Sequence, residues 1–175
     1  MNNGFVVWLT GIPSSGKTTV AKELTKRYLK KGLRTETLDG DEIRRSLSKD
    51  LGFSKSDRQE HIRRVIFVSK LLARNGVAVN VALISPYREF RENAKKEINN
   101  FLEVYIKTPL EICITRDTKG LYKKALNGEI TDLTGLQSPY EEPLNPDIII
   151  DTTEETPEEA AEIIINKLEE NGYIS

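Results

Sequence analysis

Residues Phe5-Val6-Val7-Trp8-Leu9-Thr10-Gly11-Ile12-Pro13-Ser14-Ser15-Gly16-Lys17-Thr18 run from a short apolar stretch straight into a glycine-bounded turn that ends in lysine and threonine. The first six have the character of a strand buried on both faces. The next eight match G-x-x-x-x-G-K-[ST], between that strand and the start of a helix, which is the setting the pattern needs. Glycines let successive backbone N–H groups turn inward on phosphate oxygens, and the helix N-terminus adds partial positive charge. Gly11, Ile12, Pro13, Ser14, Ser15, Gly16, Lys17, Thr18 and Thr19 therefore form the candidate cradle for nucleotide phosphates. Lys17 reaches the β- and γ-phosphates and Thr18 supplies a hydroxyl to Mg²⁺, so ATP and Mg²⁺ are the implied cosubstrate and metal.

Outward from this stretch, four more branched runs read as strands: Arg34 to Leu38, Val77 to Ile84, Phe101 to Lys107 and Asp147 to Asp151. Helical spacing fills the intervals. Ile62, Val65, Ile66, Ser69 and Leu72 make one stripe on a helix from about Asp57 to Asn75, stopped by Gly76. Thr156-Pro157-Glu158-Glu159 opens the last helix with a capping box, and Ala160, Ile163, Ile164 and Leu168 are its buried stripe. The alternation predicts an α/β fold of the P-loop NTPase type: a parallel five-stranded sheet with helices on both faces and binding at the carboxyl ends of the strands. One domain over residues 1–175 is expected. The polar, glycine- and proline-rich stretch from Arg116 to Pro146 does not fit the alternation and reads as a lid.

Bulk composition narrows the classes. Lys plus Arg (26) nearly balances Asp plus Glu (27), for a net charge of -1, which favours neither a general nucleic-acid binder nor a membrane-surface protein. Cys113 is the only cysteine, which excludes an internal disulfide and reads as a structural thiol on a helix. The opening run has no basic leader or small-residue cleavage site, and no segment is long and apolar enough to span a bilayer, so a cytoplasmic address is expected.

The cradle alone does not separate kinases from motor ATPases and GTPases. An ATPase strand ends in a carboxylate that holds Mg²⁺, whereas the long run here ends in Leu83-Ile84-Ser85-Pro86-Tyr87. The carboxylates lie instead in Leu38-Asp39-Gly40-Asp41, placed to orient metal-bound water and to accept a proton from an acceptor hydroxyl. Asp41 also reads as the N-cap of a helix from Glu42 to Leu47, and the two roles are compatible. Arg44, Arg45, Arg58, Arg63, Arg64, Arg88 and Arg91 follow, and bidentate guanidinium groups suit an anionic acceptor. Helical geometry lets only one of Arg44 and Arg45 face the site, and sends Arg63 or Arg64 to solvent. Phe53 has two readings, a ring that stacks on a base and a loop aromatic tucked against the core. His61, the only histidine, lacks partners at ligand spacing and reads as a hydrogen-bond donor or a surface residue rather than a metal ligand.

These blocks together resemble the adenylylsulfate (APS) kinase family nearly end to end. The resemblance rests on Trp8-Leu9-Thr10-Gly11, Asp39-Gly40-Asp41 with Arg44, Asp50-Leu51-Gly52-Phe53-Ser54 and Asp57-Arg58. It continues through Ile84-Ser85-Pro86-Tyr87-Arg88, Arg116-Asp117, Lys119-Gly120-Leu121-Tyr122-Lys123-Lys124-Ala125, Thr134-Gly135 and Pro139-Tyr140-Glu141. It implies an ATP-dependent phosphotransferase acting on the 3′-hydroxyl of adenosine 5′-phosphosulfate, giving PAPS and ADP in sulfate assimilation. Lys17, Asp39, Asp41 and Ser85 are the implied catalytic set, with Thr18 and Asp39 toward the metal. Arg44, Arg58, Ile84 and Ser85 would hold the phosphosulfate and ribose, Phe53 would stack on adenine, and Lys119 would arrive from the lid. Ser85 stands where the family's suggested phosphorylated serine lies, although direct in-line transfer is chemically simpler. Leu133 occupies the place of a second stacking phenylalanine and His61 that of an asparagine. A homodimer is the implied assembly, and no APS-forming domain is expected alongside. A kinase for another anionic acceptor, a catalytically silent nucleotide switch and a partner-coupled ATPase are the competing readings.

Overall fold

A computed structural model describes residues 4–175. The strands are β1 (Phe5–Thr10), β2 (Thr35–Asp39), β3 (Ala78–Ala82), β4 (Phe101–Lys107) and β5 (Ile148–Asp151). The helices are α1 (Lys17–Lys30), α2 (Gly40–Ser46), α3 (Lys55–Ala73), α4 (Arg88–Glu97), α5 (Leu110–Arg116), α6 (Leu121–Leu126) and α7 (Pro157–Glu170). All five strands are parallel, in the order β2-β3-β1-β4-β5. β1 is central, with Val6 beside Val79 on one side and Phe101 on the other. Every residue of β1 is buried, as its uninterrupted apolar run requires.

The two-residue period of the strand divides the core. Phe5, Val7 and Leu9 face Val20, Leu24 and Tyr28 of α1 and Ala161, Ile164 and Leu168 of α7. Val6 and Trp8 face the other way, onto Ile62, Val65 and Ile66 of α3 and Phe90 and Ala94 of α4. Full burial of each Leu or Ile stabilises the fold by roughly 1.5–3 kcal/mol, so the two layers together anchor the sheet. The capping box of α7 is present: Thr156 Oγ1 accepts from the Glu159 amide at 3.2 Å, and the Thr156 amide donates to Glu159 Oε2 at 2.9 Å.

Several boundaries differ from the sequence reading for local reasons. β2 runs one residue further, because Asp39 still pairs with Ala82 in the ladder. β3 stops at Ala82 rather than Ile84, and three residues later Ser85 takes a left-handed backbone, φ 47°. Asp147 lies outside β5, its carboxylate accepting from the Glu103 amide at 2.7 Å. α3 starts two residues early, because Ser54 caps it and accepts from the Asp57 amide at 3.1 Å. The cap of α2 is Asp39 and not Asp41, which falls in the first turn. Between residues 116 and 146 lies α6, missed from the sequence, in a small cluster of its own with Cys113, Tyr122, Ala125 and Leu133. Cys113 is fully buried there, on α5, in keeping with a structural thiol. Among the described residues no helix is long and apolar enough to cross a membrane.

Candidate active site

A cavity of about 770 Å³ opens at the carboxyl ends of β1, β2 and β3. Its phosphate side is the turn after β1. Lys17 Nζ folds back over that turn, donating to the carbonyls of Gly11 at 2.9 Å and Ile12 at 2.8 Å and to Ser15 Oγ at 3.3 Å. Burial pulls its pKa down to about 7, because the ammonium has lost most of its water. Thr18 Oγ1 donates to Asp39 Oδ2 at 2.8 Å, while Asp39 Oδ1 accepts from the Asp41 amide at 3.0 Å. One carboxylate thus caps α2 and holds the threonine hydroxyl.

Asp41 is half exposed and forms an ion pair with Lys119. The pair bridges the end of β2 and the 116–146 segment. Arg44 Nη1 donates to the Gly52 carbonyl at 2.7 Å, with its guanidinium 4.9 Å from the centre of the Phe53 ring. Arg58 approaches the same ring at 5.8 Å. Phe53 is 60% exposed, which removes the reading of a ring tucked against the core. Arg58 itself is buried, and its Nε donates to the Phe53 carbonyl at 2.7 Å. Its two terminal nitrogens donate to Thr134 Oγ1 at 2.6 Å and to the Asp132 carbonyl at 3.0 Å. It therefore ties α3 and the Phe53 loop to the 116–146 segment.

Ile84 and Ser85 line the cavity opposite. Thr10 Oγ1 donates to the Ile84 carbonyl at 2.7 Å, and Trp8 Nε1 donates to Ser85 Oγ at 2.9 Å. His61 lines the cavity but is buried, so the surface alternative does not hold; its Nδ1 lies 3.0 Å from Ser48 Oγ. Burial, then the charges of Arg44 and Arg64, drives its pKa down to about 4, leaving the ring neutral at physiological pH.

Three expectations are placed differently, and one alternative is resolved. Leu133 does not line the cavity: its side chain is buried against Cys113, Tyr122 and Ala125. Arg44 and Arg45 both line it, because the short α2 ends at the cavity rim. Arg91 is no acceptor ligand, since its guanidinium is buried against Glu103 and donates to the Ser85 and Glu141 carbonyls. Arg64 is held by Asp50 and Glu60 while Arg63 is the more exposed, so the latter is the arginine turned to solvent. Sequence reasoning also missed Arg116, Thr118, Thr152, Glu155 and Pro157 on the flank of the phosphate turn. They come from two segments far apart in the chain, residues 116–118 and 152–157, and no local pattern joins the two.

Among the described residues no three or more His, Cys, Asp or Glu side chains gather as a metal site. The Thr18 hydroxyl and Asp39 carboxylate, side by side at the phosphate turn, still suit Mg²⁺, which takes few protein ligands and keeps waters and phosphate oxygens for the rest.

A phosphate cradle at the end of a central parallel strand, facing two carboxylates and an arginine-flanked aromatic in one cavity, defines a P-loop phosphotransferase with its acceptor chamber. The family model for adenylylsulphate kinase matches residues 3–151. The chain is 53% identical to a probable adenylyl-sulfate kinase of Pyrococcus abyssi, over 98% of each chain. It is 50% identical to the adenylyl-sulfate kinase of Halothermothrix orenii, over 98% of this chain and 93% of that one. The structure of the Mycobacterium tuberculosis APS kinase in complex with AMPPNP and APS superposes with a TM-score of 0.93 at 44% identity, covering 97% of this chain and 99% of that one. The chain belongs to the adenylylsulphate kinase family.

Proposed function

We propose that this protein transfers the γ-phosphoryl group of ATP to the 3′-hydroxyl of APS, giving PAPS and ADP. The observation that carries the reading is that one cavity holds both the phosphate turn and the Asp39-Asp41 pair, with Phe53 and two neighbouring guanidinium groups beyond them. Residues 11–19 cradle the ATP phosphates. Lys17 exchanges its carbonyl partners for β- and γ-phosphate oxygens, which relieves the desolvation of its ammonium. Bound Mg²⁺, held by Thr18 and through water by Asp39, would neutralise charge on the β- and γ-oxygens.

The transfer is in line: the bond from the 3′-oxygen to γ-phosphorus forms as the β–γ bridging bond breaks, and the 3′-hydroxyl proton passes to Asp41. Lys119 leaves Asp41 for the transferring group, which frees the carboxylate to act as base. Arg44 and Arg58 attract the phosphosulfate and Phe53 stacks on adenine. His61, neutral, offers hydrogen bonding without charge. Ile84 and Ser85 position the ribose side. Ser85 Oγ is buried and already engaged by Trp8, which favours that role over a phosphorylated intermediate. Leu133 supports the lid from within rather than covering the base.

The same reading takes residues 116–146 as a lid on a single domain, Mg²⁺ as the metal, the cytoplasm as the compartment and a homodimer as the assembly. The test is ADP release from Mg-ATP with APS, AMP, a cytidine diphosphate analogue and water alone. Saturable turnover with APS, abolished in Asp41→Ala, is expected; turnover with another acceptor and none with APS would overturn the acceptor assignment.

A further inference from the structure

Behind the phosphate turn, on side chains that no motif includes, the carbonyl of Ser15 meets two hydroxyls. Thr108 Oγ1, just past β4, donates to it at 3.0 Å, and Thr152 Oγ1, just past β5, lies 3.2 Å from it. The two hydroxyls are 2.6 Å apart. Arg116 at the end of α5 completes the group, with Nη1 donating to Thr152 Oγ1 at 2.8 Å and Nη2 to the Thr152 carbonyl at 2.9 Å. Two hydroxyl protons serve these contacts in either of two ways. One threonine donates to Ser15 while the other donates to that threonine, and Arg116 supplies the remaining proton to Thr152. In both arrangements the Ser15 carbonyl is satisfied.

The carbonyl of Ser15 and the N–H of Gly16 belong to one trans peptide plane and point in opposite directions. A carbonyl pinned toward β4 and β5 therefore turns the Gly16 N–H the other way, and among the described residues that N–H donates to no protein group. Gly16 sits at φ 108°, where only glycine is at ease, and a glycine on one side of a peptide lowers the cost of rotating that peptide. Rotation would point the carbonyl at the phosphates, replacing a donor by an acceptor.

We infer that Thr108 and Thr152, backed by Arg116, are positioning residues that lock the Ser15–Gly16 peptide with its N–H aimed at the ATP phosphates. The inference rests on the proposed role of residues 11–19 in binding those phosphates. It assigns a function to Thr108, which does not line the cavity.

The test uses the full chain and two probes, Mg-ATP and inorganic tripolyphosphate, which has the phosphates but no base or ribose. Binding is read by calorimetry, and KM for ATP and for APS by ADP release. Thr108→Val removes one hydroxyl and weakens both probes about threefold; Thr108→Val with Thr152→Val leaves the carbonyl without a hydroxyl and weakens both about tenfold. KM for APS stays within twofold, and the corresponding double serine variant binds as the parent does. Loss of ATP affinity without loss of tripolyphosphate affinity overturns the inference, because Thr152 would then act on the nucleoside. So does a serine variant as weak as the valine one, which would make packing the cause, or valine variants that bind both probes normally. If the double valine chain does not fold, Thr108→Val alone decides through the Gly16 amide resonance. Its shift on adding tripolyphosphate should be smaller than in the parent, and an equal shift at equal affinity overturns the inference. A parent that binds ATP but not tripolyphosphate overturns it too, and one that binds neither fails the phosphate assignment itself.

Discussion

Lys17 is the residue at which sequence and environment pull hardest against each other. The motif requires a cation, yet burial lowers its pKa to about 7. Above that pH a growing fraction is neutral, and a polyphosphate restores the charged form. ATP binding at pH 8 should therefore take up close to one proton, and affinity should fall as pH rises from 7 to 9. Calorimetry in buffers of differing ionisation enthalpy measures the uptake, and Lys17→Arg, ionised throughout, should abolish it. No uptake in the parent would mean that Lys17 stays charged in the empty site. Asp41 makes the complementary case: Asp41→Asn keeps the shape but not the base, and kcat should fall about 10²-fold or more with KM for ATP within threefold. The phosphate turn was legible residue by residue because its chemistry is contiguous. Arg91 was not, since only the fold shows that its partners are Glu103 and the carbonyls of Ser85 and Glu141.

At the level of elements, local signals and tertiary ones part company. The capping box of α7 was readable because Thr156 and Glu159 satisfy each other without help from elsewhere. Thr156→Ala should cost about 1 kcal/mol, lowering Tm by roughly 2–4 °C with turnover unchanged, as a thermal melt and an ADP-release assay would show. The same logic misassigned the cap of α2. Asp39 and Asp41 are equally good capping residues in isolation, and the choice falls on Asp39 because β2 extends through it and delivers its carboxylate to both the Asp41 amide and Thr18. α6 was invisible for another reason: its six residues are too few for periodicity to register. It exists because Tyr122 and Ala125 are buried and Tyr122 Oη donates to the Pro13 carbonyl at 2.9 Å.

Across the whole molecule, the order β2-β3-β1-β4-β5 brings the ends of β1, β2 and β3 around one cavity, and the question left is what holds the proposed lid against it. Of the contacts that hold the lid, two reach it from the side of Asp41 and Phe53. The Lys119–Asp41 pair is about half exposed on both sides, and such pairs contribute about 0–1 kcal/mol. Arg58 is 8% exposed, and both its terminal nitrogens end on the lid, at Thr134 Oγ1 and the Asp132 carbonyl. Charge-assisted bonds in a dry setting are the stronger kind, so Arg58 rather than Lys119 should set the closed population. Gly135 adds a steric reason for register: a methyl group there would come 2.8 Å from Ile12 Cγ2, at a backbone φ of 86°. The two links therefore separate by experiment. Thr134→Val, which strips Arg58 of its hydroxyl partner, should raise amide exchange over residues 128–138 about threefold to tenfold in the empty protein and raise KM for APS. Lys119→Ala should leave that exchange near the parent rate and lower kcat instead, because its charge is needed on the transferring phosphoryl group and not in the resting lid. The opposite pattern, exchange responding to Lys119 and not to Thr134, would make the surface ion pair the clasp.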